Sequence, residues 1–372
     1  MRRWSKVVSS LLVVALLAGC GGSASQPGAA GPGDSAAGGA TVTESNEVIV
    51  DGEVVATKEL VAAAEQEGTV TIYTSQAASD EQMVMDAFMK AFPKISVQIV
   101  RQGGGKLYEK FATEFRAGQH EADVILFSDL ALMEEVVKMG AVAEHIPPSD
   151  DKYAPEVKKQ GIYYTVTMPT MYFIYNHELI KPEEAPKTWH DLLDPKWKGK
   201  IGMTPAGIGG TAWTLAYFHR KELGKEYWEK LAAQEPVQYT GGAGLAESVA
   251  RGELPIGILP DVTDFQVRVK QGAPITAVFP TEGAPVVLYT IAVAKNAPHP
   301  NAARLLMNWY LSPAGQKAIA NVRGGYSARD DLPEPEGKPA KSTVKLYVPN
   351  TEEIISFHDE WVEEWNQVFN YR

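Results

Sequence analysis

The stretch from Thr69 to Phe92, TVTIYTSQAASDEQMVMDAFMKAF, contains one whole strand, loop and helix unit. Val70-Thr71-Ile72-Tyr73 is β-branched and aromatic and reads as a strand. Thr74-Ser75-Gln76 is a turn, and Ser79 or Asp80 suits the N-cap of a helix that carries Met83, Phe88 and Phe92. Upstream, Leu60, Val61 and Ala64 predict a short amphipathic helix ending at Gly68.

The same unit recurs downstream. Ile95 to Val100 predicts a strand, Gly103 to Gly105 a loop, and Leu107 to Phe115 a helix. Ala122 to Phe127 predicts a third strand, ending at Ser128-Asp129, with a helix from Leu130 to Met139. A second block follows: an apolar run at Met171 to Tyr175, a short strand at Lys200 to Met203, and a Gly-rich loop from Thr204 to Thr211 opening a helix through Trp213, Leu215 and Phe218. Pro255 to Leu259 is a further strand, and Val286 to Val293 an apolar run placed as a crossing between lobes. Helices are expected near Asn301 to Tyr310 and over Thr351 to Phe369, the latter with a Trp361, Trp365, Phe369 stripe for packing on a lobe. Alternating strands and helices imply an α/β fold, with mainly parallel sheets flanked by helices and ligands bound beyond the strands' carboxyl ends.

Before this body, Arg2, Arg3 and Lys6 precede the apolar run Val7 to Leu17, which has the layout of an export signal and is too short to span a bilayer. Cys20, the only cysteine of the 372 residues, ends Leu17-Ala18-Gly19-Cys20, so no disulfide framework is possible. Residues 21–46 are rich in Gly, Ala, Ser, Pro and Thr and predict a flexible tether. The net charge of −11, from 35 basic and 46 acidic residues, argues against nucleic acid as a partner.

Four strings carry a family resemblance: LVAAAEQEGTVTIYTS (60–75), ADVILFSD (122–129), PKTWHDLLDPKWKGKIGM (186–203) and NAARLLMNWYLSPAGQKAIA (301–320). Over roughly residues 58–330 the chain resembles the extracellular solute-binding proteins of ABC importers, in the ferric-iron and phosphonate-type group with the two-lobed class II periplasmic-binding fold. Leu17 to Cys20 matches the lipobox of bacterial lipoproteins. The resemblance implies a signal peptide over 1–19, lipidated Cys20 with a linker to residue 46, lobe 1 from 47–170 and 288–330, lobe 2 from 171–287, and a C-terminal helical segment over 331–372. It implies a monomeric receptor, held at the membrane by lipid, that closes around a small molecule or ion and delivers it to an ABC permease, with no cofactor and no chemistry on the ligand.

The candidate ligand residues lie at strand ends: Ser75 and Gln76, Ser128 and Asp129, Thr204 with Gly207, Gly209, Gly210 and Thr211, Tyr239 and Gly242, and Asp261, Thr263 and Asp264, with Tyr172 beside them. Glycines opening a helix suit an anion, because the first amides are unpaired and the backbone approaches closely. By the resemblance, Asp129 stands at a glutamate ligand of the iron-binding members, Ala77 at their histidine, Val262 and Thr263 at their paired tyrosines, and Pro169 and Met171 at anion-binding arginines. One carboxylate does not hold iron(III). Three ligand classes stay open: an organic anion or phosphonate, a cation or amine near Asp129, Asp261 and Asp264 with Tyr172 and Trp213, and iron as a chelate or through other ligands. An exported hydrolase is the competing class, but neither Gly-x-Ser-x-Gly nor His-Glu-x-x-His occurs. The seven scattered histidines include His145, His177, His190, His219, His299 and His358, read as surface or turn residues.

Overall fold

The computed structural model describes residues 40–259, 272–335 and 338–371. The expected signal peptide, Cys20 and the linker as far as residue 39 lie outside these residues, as do Val262 and the candidates Asp261, Thr263 and Asp264.

The described residues begin before the expected end of the tether at residue 46, and they are folded. Strands β1 (Thr41–Val42), β2 (Glu47–Val50) and β3 (Glu53–Thr57) form a small antiparallel sheet. Val48 and Val50 alternate inward on β2, and Asp51 and Gly52 take φ of 51° and 82°, the left-handed pair that a tight hairpin turn needs. The sheet is pinned by Arg329, which is buried and pairs with Glu53 at 2.6 Å and Asp331 at 2.7 Å.

The first helix, α1 (Lys58–Glu67), is capped by Thr57 and ends on left-handed Gly68. Then come β4 (Thr69–Thr74), α2 (Ala78–Ala91), β5 (Ser96–Arg101), α3 (Gly104–Arg116), β6 (Val124–Phe127) and α4 (Leu130–Lys138). Helix α2 starts before the expected cap: Ala77 holds the N-cap position without a side-chain bond, and Ser79 and Asp80 sit in the first turn. Its start is anchored by Glu81 instead. This fully buried carboxylate accepts from Thr74 Oγ1 at 2.8 Å, from Arg323 Nη2 at 2.8 Å and from the Tyr310 hydroxyl.

Beyond α4 lie β7 (Lys158–Lys159), β8 (Tyr163–Thr167), β9 (Tyr172–Asn176), β10 (Ile201–Met203), α5 (Gly210–Phe218), α6 (Lys225–Ala232), β11 (Val237–Gln238), α7 (Gly242–Ala250) and β12 (Ile256–Leu259). They are followed by β13 (Ile275–Val278), β14 (Ala284–Pro285), β15 (Tyr289–Val293), α8 (Pro300–Leu311), α9 (Pro313–Arg323), β16 (Leu346–Tyr347), α10 (Thr351–Ser356) and α11 (His358–Val368).

Two sheets define two lobes. Lobe 1 has the order β5-β4-β6-β15-β8-β7 and lobe 2 the order β11-β10-β12-β9-β13. Within each, a parallel core from the βα units (β5-β4-β6; β11-β10-β12) is extended by antiparallel strands. The chain crosses from β8 to β9 and returns from β13 to β15, so each sheet receives strands of both directions. The crossing segments pair with each other: Met171 N donates to Pro285 O at 2.8 Å, Val287 N to Pro169 O at 3.0 Å, and Thr170 bridges Val286. No helix among the described residues is long and apolar enough to cross a membrane.

The C-terminal segment, expected as one helix over Thr351 to Phe369, is two helices meeting at Phe357, whose ring stacks on Trp361 with centroids 4.4 Å apart. Trp361 also stacks on Tyr217 of lobe 2, and Trp365 is buried, so the stripe serves packing. His219 corrects the surface reading of the histidines. It follows α5 in a π-helical turn, is 2% exposed, and stands 4.5 Å from the Trp189 ring and 4.9 Å from Tyr227, centroid to centroid.

Burial pushes the His219 imidazole down to about 3 from 6.5. Below pH 6.5 the unfolded chain takes up a proton that the folded chain refuses, so stability falls as pH drops toward about 3, by about 1.4 kcal/mol per pH unit for this group. In urea titrations the His219→Phe variant is expected to lose about one proton's worth of that slope between pH 6.5 and 4. An unchanged slope removes His219 from the account.

Candidate functional site

The carboxyl ends of the parallel strands in the two sheets carry the polar loops: Ser75 after β4, Ser128 after β6, Thr204 after β10 and Tyr239 after β11. Between the lobes lies a cavity of about 410 Å³, lined by Ser128 to Ala131 of lobe 1, by Gly210, Trp213 and Thr214 of α5, and by the crossing residues Val286 to Leu288. One further side comes from the C-terminal segment, through Thr351, Ile354, Ile355, His358 and Asp359. The end of β6, the start of α5 and the return crossing therefore converge on one space. Its size is that of ordinary small-molecule sites.

Asp129 is the ionisable group on the lobe 1 wall. It caps α4, with Oδ1 accepting from Ala131 N at 2.9 Å. Burial raises its carboxyl above the usual aspartate range, against the lowering pull of the Ala131 and Leu132 amides and of His358. Ser128 is fixed beside it: its amide donates to Ser75 Oγ at 2.9 Å, and Ser75 Oγ donates to Ser128 Oγ at 3.1 Å. Across the cavity, Gly210 opens α5 behind Gly209, and no side chain caps that helix start, which leaves its first amides to water or a ligand. The Trp213 indole nitrogen is engaged, donating to Ile354 O at 3.1 Å. No lysine or arginine lines the cavity among the described residues.

The other candidates are placed differently. Gln76 and Thr204 are buried at the ends of β4 and β10, and Gln76 Nε2 and Thr204 Oγ1 have no hydrogen-bond partner among the described residues. Thr211 is half-buried in the first turn of α5, and Gly242 opens α7. Tyr172 is buried under Phe279, ring centroids 4.7 Å apart, and Tyr239 turns inward, its hydroxyl donating to Ser248 Oγ at 2.7 Å. Tyr239 turns inward because side-chain-free Gly202 leaves room on β10: a Cβ there would stand 3.2 Å from the Tyr239 ring and 2.3 Å from Leu245. Gly207 is backed by the C-terminal helix, where an added Cβ would meet Val362 at 3.3 Å. Among the described residues no group of three or more His, Cys, Asp or Glu is placed to hold a metal.

Residues of the C-terminal wall escaped the sequence reading. The signal was present: Thr351, Ile354, Ile355, His358 and Asp359 recur at i, i+3, i+4, i+7 and i+8, one face of a helix. The neighbouring aromatic stripe is the stronger signal of the two and draws the reading to packing alone.

The family model described as bacterial extracellular solute-binding protein matches residues 73–317. A putative 2-aminoethylphosphonate-binding periplasmic protein of Salmonella typhimurium is 27% identical over 328 residues, covering 81% of this chain and 93% of that one. Among solved structures, iron-bound HitA from Pseudomonas aeruginosa superposes with a TM-score of 0.67 at 21% identity, covering 80% of this chain and 99% of that one. The periplasmic binding protein AfuA from Actinobacillus pleuropneumoniae, with exogenous fructose-6-phosphate bound, gives 0.67 at 23% identity and covers 82% and 100%. These two likenesses establish the fold.

Proposed function

The chain belongs to the bacterial extracellular solute-binding protein family, and from that premise we propose that it captures a small zwitterion, an amine joined to a phosphonate or similar anion, between its lobes for an ABC importer. The observation that carries this reading is the polarity of the cavity: the Asp129 carboxylate on one wall, the uncapped start of α5 on the other, and no lysine or arginine among the described lining residues. A purely anionic solute finds no lysine or arginine countercharge among the described lining residues. An amine finds Asp129 and the Trp213 indole, and an anionic group finds the Gly210 amides. The Salmonella relative is named as a putative binder of 2-aminoethylphosphonate, a solute with the same pairing of charges.

The rest of the reading follows from export. The lobes, bounded as 47–170 with 288–330 and as 171–287, close about the paired crossings, and the closed form is what the permease receives. Ser75, Gln76, Thr204, Gly209 and Thr211 line the approach to the ligand. Lipid on Cys20 holds the protein at the membrane through the tether, and the protein acts as a monomer without catalysis.

Isothermal titration with 2-aminoethylphosphonate tests the ligand class, with ethylphosphonate lacking the amine and ferric citrate as comparators. One-to-one binding is expected, with ethylphosphonate about tenfold weaker or worse. Asp129→Asn should weaken 2-aminoethylphosphonate by about tenfold or more, the loss of a charge-assisted hydrogen bond. The same variant should melt no lower than the wild type, because asparagine also caps a helix and the desolvated charge is gone. Since burial raises the Asp129 pKa, amine affinity should decline on acidification from above the usual aspartate range. Equal affinity for ethylphosphonate, an indifferent Asp129→Asn variant, or tight ferric citrate binding alone would overturn the reading. For the anchor, Cys20→Ser should release the protein from the membrane fraction of expressing cells; unchanged membrane retention contradicts lipidation.

A further inference from the structure

The C-terminal segment is attached to one lobe and faces the other. Five bonds tie α10 and α11 to α5, the turn after it and the start of α6: Trp213 Nε1 to Ile354 O, Tyr217 OH to Glu353 at 2.9 Å, Lys221 to Glu353 at 2.7 Å, Arg220 to Glu364 at 3.1 Å and Lys225 to Glu364 at 2.7 Å. The Arg220 guanidinium lies 4.9 Å over the Trp361 ring, which stacks on Tyr217. Upstream, β16 runs parallel to β14 at the return crossing, and Val286 N donates to Tyr347 O at 2.9 Å. On its other side α10 packs against α4, the helix that Asp129 caps. The face turned to the cavity holds Thr351, Ile354, Ile355, His358 and Asp359; the His358 ring stands edge-on to Trp213 at 5.2 Å and its Nδ1 donates to Asp359 Oδ1 at 2.7 Å, so that the imidazolium form has Nε2–H left to donate.

We propose that the C-terminal segment, residues 345–371, is a wall of the ligand site that travels with lobe 2, with His358 a specificity-determining residue that donates a hydrogen bond to the anionic group of the bound zwitterion. The proposal rests on the ligand reading above for the role of His358. The placement of the wall does not depend on it. Two features support a wall over a loose tail. Its attachments include a carboxylate shared between Arg220 and Lys225, and its Trp361 and Trp365 side chains are buried, Trp361 against Tyr217 of lobe 2. The geometry also orders the charges. Asp129 stands on lobe 1 for the amine, while the α5 start and the Nε2 edge of His358, whose Nδ1 is held by Asp359, are the groups left for the anion. Because α10 already rests on α4, the wall closes that side of the cavity before a ligand enters.

Two measurements on the full chain decide it. Amide hydrogen exchange of the free protein should show residues 351–368 protected to the level of α5; exchange at the rate of unstructured chain overturns the wall whatever the ligand. Titration with 2-aminoethylphosphonate should give a His358→Ala variant about tenfold or more weaker than the wild type, with a His358→Gln variant, which keeps a donor, restoring most of the affinity. All three proteins should share one melting temperature. A His358→Ala variant that binds as tightly as the wild type overturns the role of His358. If the wild type itself does not bind 2-aminoethylphosphonate, the ligand class and with it the role of His358 fall, and the exchange result alone supports or overturns the wall.

Discussion

The two segments that pass between the lobes are hydrogen-bonded to each other, and the rest of the architecture depends on that pairing. Met171 to Pro285 and Val287 to Pro169 are backbone bonds, and the side chains around them, Met168, Met171, Val286 and Leu288, are buried. A backbone bond in an apolar surrounding cannot be exchanged for one to water without leaving a buried polar group unmet. The pairing thus sets the register of one sheet against the other. It also lays the apolar floor of the cavity, because Val286 to Leu288 line it. In the proposed closure, motion about this short ladder would change the gap between Asp129 and the start of α5 while leaving each lobe intact.

Each lobe presents different chemistry to that gap. Lobe 1 offers a carboxylate whose position is fixed by its capping bond to Ala131 and whose charge is penalised by burial. Lobe 2 offers a helix start without a side-chain cap, with an indole one turn further along. Neither wall alone satisfies a zwitterion. This is the physical reason a two-lobed binder couples capture to closure: the favourable contacts of the ligand with the two lobes are made together only in the closed form.

Much of the frame was legible from residues 60–139, because strand and helix periods there alternate cleanly and the turns fall on Gly68, Ser75 and Ser128. Asp129 and Gly210 were legible for a related reason, as positions where a strand ends and a helix begins. The N-terminal sheet was hidden because β1 and β2 are short and sit beside a polar tether, so that only the Asp51-Gly52 turn announces a hairpin. Tyr239 and Gly207 belong to strand-end loops in sequence, but neighbours distant in the chain, Leu245 around Gly202 and Val362 beside Gly207, decide which way such loops face. The burial of His219 and the approach of the C-terminal helices to the cavity are tertiary facts of the same kind. Local pattern identifies an apolar helix face without saying which partner covers it.

The central claim is closure of the lobes about a bound solute. Small-angle scattering of the full mature chain, with and without saturating 2-aminoethylphosphonate, tests it directly. The account predicts a smaller radius of gyration in the presence of the ligand at a one-to-one stoichiometry, with the Asp129→Asn variant needing about tenfold more ligand to reach the same compaction. A scattering curve unchanged by the ligand, or a variant that compacts at the same ligand concentration as the wild type, contradicts it.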